Sequence, residues 1–141
     1  DGSNNYSGLN ALRERLSNES MQDSIADNNQ TIIAVGVPIH FYFKINTANL
    51  VDKTQLSNLK EIANIAKEQN LIVHISAAAD SYTGKAAYNK KLAAKRGNYI
   101  AKKLKEYGVS MDNMRGANLG GISTYAPAEA NRTTIILLTT H

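Results

Sequence analysis

The sequence predicts an α+β fold in the order β-α-β-α-β-β, a sandwich with its helices packed on one mixed sheet. Three observations lead there. Pro38–Phe43 alternates apolar and polar residues with period two. Two segments, after Asp52 and after Thr83, repeat apolar residues at helical spacing. Leu71–Ile75 is a nearly continuous apolar run, interrupted by His74, and Thr133–Leu138 shows no alternation, the pattern of strands covered on much of both faces.

Each element has a local reason. In the first strand Ile39, Phe41 and Phe43 are expected to face one way, and Asn46–Asn49 makes a polar turn after it. Asp52-Lys53-Thr54-Gln55 has the form of a capping box, with Asp52 as N-cap and Gln55 reaching back. Leu56, Leu59, Ile62, Ala63 and Ala66 then form one stripe that Gln69-Asn70 ends. Leu71–Ile75 completes a β-α-β unit, which takes a right-handed crossover. Thr83 is the expected cap of the second helix, whose stripe is Leu92, Tyr99, Ile100, Leu104 and Tyr107. Gly108 stops it, and seven lysines between Lys85 and Lys105 coat its outer face. Met114–Leu119 reads as a third strand broken by Gly120-Gly121, and the Thr133–Leu138 run as an interior strand.

At 141 residues the chain fits one domain, assigned to residues 31–141, preceded by a linker with a short helix over residues 1–30. That helix is a stripe of Leu9, Leu12 and Leu16 which either docks on the domain or continues an upstream coil. No cysteine is present, so disulfides and thiolate metal sites are excluded. The net charge of +4 favours an anionic partner without choosing one. The longest apolar runs are too short to span a membrane. The start at Asp-Gly-Ser reads as an excised piece of a longer protein whose anchor lies upstream.

Two charged residues stand out. Arg96 falls on the inward stripe, on the face it shares with Asn89, where an unpaired charge is costly. Asp80 follows the second strand and is the nearest carboxylate in sequence. On pattern alone the commoner outcome is a structural ion pair between them. The sharper reading is a zwitterion clamp, with Asp80 on an ammonium and Arg96 on a carboxylate. No nucleophile–base set, metal-ligand spacing, phosphate loop or nucleic-acid motif accompanies them. His40 and His74 read as strand histidines, not metal ligands, and no cofactor is expected.

Asp80, Thr83-Gly84, Tyr88-Asn89, Leu92 and Arg96 spell D-x-x-T-G-x-x-x-Y-N-x-x-L-x-x-x-R. This motif resembles the OmpA-like peptidoglycan-binding domain, shared by the C-terminal domain of outer-membrane protein A, Pal lipoproteins and flagellar stator proteins. The similarity covers about residues 38–140, with Phe43-x-x-Asn46-x-Ala48-x-Leu50 and Asn131-Arg132 as flanking matches. Its Thr-Gly form looks most like domains from Bacteroides-type bacteria. The departures from the pattern are Ala77-Ala78-Ala79 before Asp80, where Gly or a similar small residue and then Thr are usual, so that a side-chain hydroxyl is missing; Ala93 in place of a Ser; Gly97 in place of an Ala after the arginine; and Thr133 in place of a second arginine.

The resemblance implies a non-enzymatic module on the periplasmic face of the outer membrane. It implies non-covalent binding of the diaminopimelate residue of peptidoglycan stem peptides, tethering the outer membrane to the cell wall. Asp80 would take the ammonium, Arg96 the carboxylate, and Asn89 would hydrogen-bond beside them. Thr83 lies within the motif and counts with the ligand-binding residues, while Asn46 and Arg132 match secondary positions at the rim. The alternative is a structural or protein-interaction domain in which Asp80–Arg96 is only a salt bridge.

Overall fold

Strands and helices follow one another as β1 (Ala34–Tyr42), α1 (Gln55–Gln69), β2 (Ile72–Asp80), α2 (Ala86–Glu106), β3 (Met114–Ile122) and β4 (Thr133–Thr139) in the computed structural model. Residues 32–141 are described, so the linker and short helix expected over residues 1–30 lie outside the described residues. The sheet order is β1-β4-β2-β3. β4 inserts between β1 and β2 and is antiparallel to both, whereas β2 and β3 pair parallel. The first β-α-β unit is therefore split by β4. That position accounts for the missing alternation in β4, whose seven residues are all buried.

The core fills the space between the sheet and both helices. Phe41, Phe43, Val73, Ile75, Ile136 and Leu138 meet Leu59, Ile62, Ala63 and Ala66 of α1 and Ile100 and Leu104 of α2. Ile39 departs from its expected place, since 39 % of it is exposed. It follows a register shift in which Val35 pairs with Leu138 and Ile39 with Ile136. Gly36, at φ +81°, lets the chain bulge there, and the edge strand turns Ile39 partly to solvent.

Three further local expectations are corrected. The reciprocal capping box does not form. Asp52 Oδ1 accepts from the Thr54 backbone N–H at 2.9 Å and its hydroxyl at 2.6 Å. The Gln55 side chain instead turns to β1, donating to the His40 carbonyl and accepting from the Tyr42 N–H. It thereby occupies edge groups that would otherwise be open. Thr83 does not cap α2, because the helix begins at Ala86 with Lys85 extended before it. The Thr83 hydroxyl faces back to Asp80. Gly120-Gly121 does not break β3: Ala77 pairs with Asn118 and Ala78 with Gly120, so Leu119 bulges out and the strand runs on to Ile122. The helix ends are as expected, with Asn70 left-handed at φ 52° and Gly108 at φ +99°.

Two departures from the family pattern offset one another across the β2–α2 contact. A Cβ on Gly97 would meet the Ala77 Cβ at 3.0 Å. Glycine on the helix thus makes room for alanine on the strand. Gly97→Ala gains roughly 1 kcal/mol of helix propensity but overpacks this contact at about 1–3 kcal/mol. The substitution is expected to destabilise the natural chain and to stabilise an Ala77→Gly background, as read by urea denaturation of the four-member cycle. Equal effects in both backgrounds would refute the coupling.

The two hydrogen bonds from Thr54 hold the Asp52 carboxyl below its ordinary value of 3.8. A lowered carboxyl pKa stabilises the fold fully above the unfolded value, and that stability is lost as pH falls through the folded value. Asp52→Ala is expected to lower the thermal midpoint at pH 7 and to lose that difference in acid below pH 3.8. A deficit that persists unchanged into acid would show that the charge plays no part.

Candidate functional site

The carboxyl end of β2, the first turns of α2, the Lys44–Asn49 turn and the start of β4 converge on one cluster of polar side chains. Arg96 rises from α2 beneath it and is fully buried. Its Nε donates to the Thr47 carbonyl at 2.8 Å, Nη1 to Ala78 at 3.1 Å and Nη2 to Lys44 at 3.1 Å. The guanidinium also lies 5.4 Å from the centroid of the Phe43 ring. Burial and the neighbouring Arg132 pull its pKa down to about 10, against Tyr88 and Asp80, which favour the charge. It stays cationic at neutral pH.

Asp80 is equally enclosed, at 2 % exposure. Its ion-pair partner is not Arg96. Arg132 Nη2 reaches Asp80 Oδ2 at 3.3 Å, and no Asp80–Arg96 ion pair occurs among the described residues. The salt-bridge alternative, in which Asp80 and Arg96 pair directly, is thereby corrected. Three carbonyl dipoles do what that carboxylate was expected to do for Arg96. Asp80 Oδ1 also accepts the Tyr82 N–H at 2.8 Å, and Thr83 Oγ1 sits 3.4 Å from Oδ2. Arg132 keeps a buried Nε–H with no partner.

Asn89 is wedged between two glycines. A Cβ on Gly84 would lie 2.9 Å from its Oδ1, and one on Gly121 2.9 Å from its Nδ2. The residue is only 3 % exposed. The sequence marked Gly121 only as a strand breaker, not as a neighbour of Asn89. Its signal is its register position beside Ala79, one residue before Asp80, where the strand must run on past Asn89. Asn46 takes a different place from the other motif residues. It is exposed at φ 56° and shapes the turn whose carbonyls hold Arg96. Left-handed backbone of this kind favours Asn over most residues. Asp80, Thr83, Asn89, Arg96 and Arg132 are the residues brought together.

Residues 42–134 match the OmpA family. The chain belongs to the OmpA family. Domains of this family are non-catalytic and bind peptidoglycan. The chain is 40 % identical over 84 residues to outer membrane protein 40 of Porphyromonas gingivalis (strain ATCC BAA-308 / W83). That stretch is 60 % of this chain and 22 % of the relative, so the chain spans under a quarter of that protein's length. The fold is that of the peptidoglycan-associated lipoprotein of Burkholderia pseudomallei, with a TM-score of 0.62 and 22 % identity over 70 % of this chain and 88 % of that one. The OmpA-like domain of FopA1 from Francisella tularensis superposes with a TM-score of 0.65 at 16 % identity, covering 78 % of this chain and 80 % of that one. No described helix of this OmpA-family domain is long and apolar enough to cross a membrane. No group of three or more metal-ligating side chains occurs among the described residues.

Arg96 is a structural clip. Arg96→Met leaves three carbonyls without their donor, at about 1–3 kcal/mol for each that stays dry. A loss of about 3 kcal/mol or more is expected in urea denaturation with an unchanged slope. Arg96→Lys should recover little, because one ammonium cannot span three acceptors in a planar fork. A loss below about 1 kcal/mol, the worth of one ordinary hydrogen bond, would contradict this role.

Proposed function

We propose that this domain binds the diaminopimelate residue of peptidoglycan stem peptides and tethers an outer-membrane component to the cell wall. One observation carries the reading: two guanidiniums, one carboxylate and the Asn89 amide lie together, so both signs of charge stand side by side. A group offering an ammonium and a carboxylate can pair with each sign. Asp80 receives the ammonium, which displaces Arg132 from a single 3.3 Å contact. The released Arg132 and the two N–H donors that Arg96 does not spend on carbonyls meet the carboxylate. Asn89 bonds either end. Thr83 steadies Asp80, and Asn46 acts through the backbone turn beneath Arg96.

Arg96 has no exposed surface, so the carboxylate reaches it only as a rim side chain gives way. Tyr88, half-exposed and electrostatically coupled to Arg96, is placed to do this. The family's peptidoglycan binding, together with the outer-membrane and periplasmic relatives, supports a site on the periplasmic face of the outer membrane. The membrane anchor is expected in another part of the full-length protein. The rest of the 22 % coverage relation gives room for one.

The test is calorimetric titration with a diaminopimelate-containing stem peptide and with its lysine counterpart, which lacks the second carboxylate. The first is expected to bind and the second to bind far more weakly. Asp80→Asn should weaken binding by about 2–5 kcal/mol, since it strands the ligand ammonium. It leaves the Arg96 clip intact, so the fold persists. Equal binding of both peptides would remove the carboxylate half of the clamp. Binding of neither peptide, nor of intact sacculi, would leave Asp80–Arg132 as a plain tie between β2 and β4.

A further inference from the structure

The two helices are charged differently. α1 carries two lysines and two glutamates, all exposed. α2 carries six lysines and Arg96 against Glu106 alone. Arg96 is spent inside the fold, and Lys103 pairs with Glu106 at 3.5 Å. Of the remaining lysines, Lys91, Lys95, Lys102 and Lys105 share one row with Asn98, at steps of four, three, four and three. The row lies opposite the buried Asn89, Leu92, Arg96 and Ile100, and all four lysines are exposed. At the helical rise it is roughly 21 Å long. Among the described residues, none of the four has a carboxylate within ion-pair distance.

Such a row works against the helix that carries it. Lys91 and Lys95 stand at i, i+4, and Lys102 and Lys105 at i, i+3, where like charges repel. Lys85, at the N-cap, faces the positive pole of the helix dipole. A face meant only for water needs none of this, as the balanced charges of α1 show. The row also holds no large apolar side chain, which a helix lying in a membrane surface requires. It fits an anionic polymer better. Asn89, in the first turn of the same helix, belongs to the cluster around Asp80, so the row starts beside that cluster and runs away from it.

We propose that Lys91, Lys95, Lys102 and Lys105 form a second contact with peptidoglycan, pairing with free carboxylates of stem peptides beside the one held at Asp80. The inference rests on the peptidoglycan reading, but not on how Asp80 meets its ligand. The contact is exposed, screened by salt and indifferent to stereochemistry. It raises the local concentration of anionic polymer around the site. It also slows escape, because both contacts must open together.

Sedimentation of the full 141-residue chain with purified sacculi tests the row. Lys95→Gln with Lys102→Gln is compared with Lys53→Gln and Lys60→Gln, two exposed lysines at and before α1. Both double variants lose the same charge. The row variant is expected to weaken pelleting roughly fivefold at low salt, the worth of two exposed ion pairs, and the control to change it little. The gap should close as salt rises from about 0.05 M to about 0.5 M. Calorimetry with the soluble diaminopimelate stem peptide should not distinguish the row variant from its parent, since one peptide fills only the Asp80 site. Equal losses in both double variants would show that net charge alone matters and would overturn the proposal. Unchanged pelleting of the row variant, with its loss confined to vesicles of anionic phospholipid, would overturn it in favour of a membrane. The two readings fail separately. Row-dependent pelleting by a chain that ignores the soluble peptide would sink the diaminopimelate reading and keep the row. Pelleting lost with Asp80→Asn but not with the row variant would do the reverse.

Discussion

The guanidinium of Arg96 joins backbone 18, 49 and 52 residues away in sequence, at Ala78, Thr47 and Lys44. Much of the binding end of the domain depends on that tie. It fixes α2 against β2 and pins the turn after β1 to both. A fully buried charge is costly, and here the cost is offset by three aligned carbonyls and the face of Phe43 rather than by a carboxylate. The consequence is functional. Asp80 is released from neutralising Arg96 and is held by Arg132 through one contact to a partly exposed side chain. A buried carboxylate and a more accessible arginine are thus left joined by a single contact, while the deeper arginine stays fixed by the scaffold.

Glycine placement serves the same end. Gly84 and Gly121 approach Asn89 from opposite sides, and a methyl on either would push into its amide. Gly97 makes the analogous space for Ala77. Interiors packed to crystal-like density transmit such changes directly. The four elements that build the cluster are therefore coupled by contacts where a single methyl group matters. The alanine at position 77 is thus matched by the glycine at position 97.

The sheet order gives the molecule its polarity. Because β4 lies between β1 and β2, the strand that brings Arg132 to Asp80 is also the best protected one. Its beginning is at the cluster and its end lies beside the chain entry. The Asp80–Arg132 pair and the entry of the chain thereby lie at opposite ends of the sheet.

The sequence by itself determined the elements and their order, and it named most of the polar residues that the fold gathers around Asp80. Period-two and helical patterns are local, and they placed both helices and all four strands. The inward position of Arg96 followed from its spacing to Leu92, Tyr99 and Ile100, and burial bears it out. What tertiary structure alone decided is who meets whom. Arg96 bonds to backbone carbonyls, which every residue carries and no sequence pattern marks. Arg132 pairs with Asp80 across 52 residues because β4 inserts in mid-sheet, and strand order is not encoded in any local period. Gln55 turned to the β1 edge instead of its own helix, and Thr83 to Asp80 instead of α2, for the same reason. A polar side chain with two acceptable partners takes the one that the packed fold holds in reach, and only the fold says which that is.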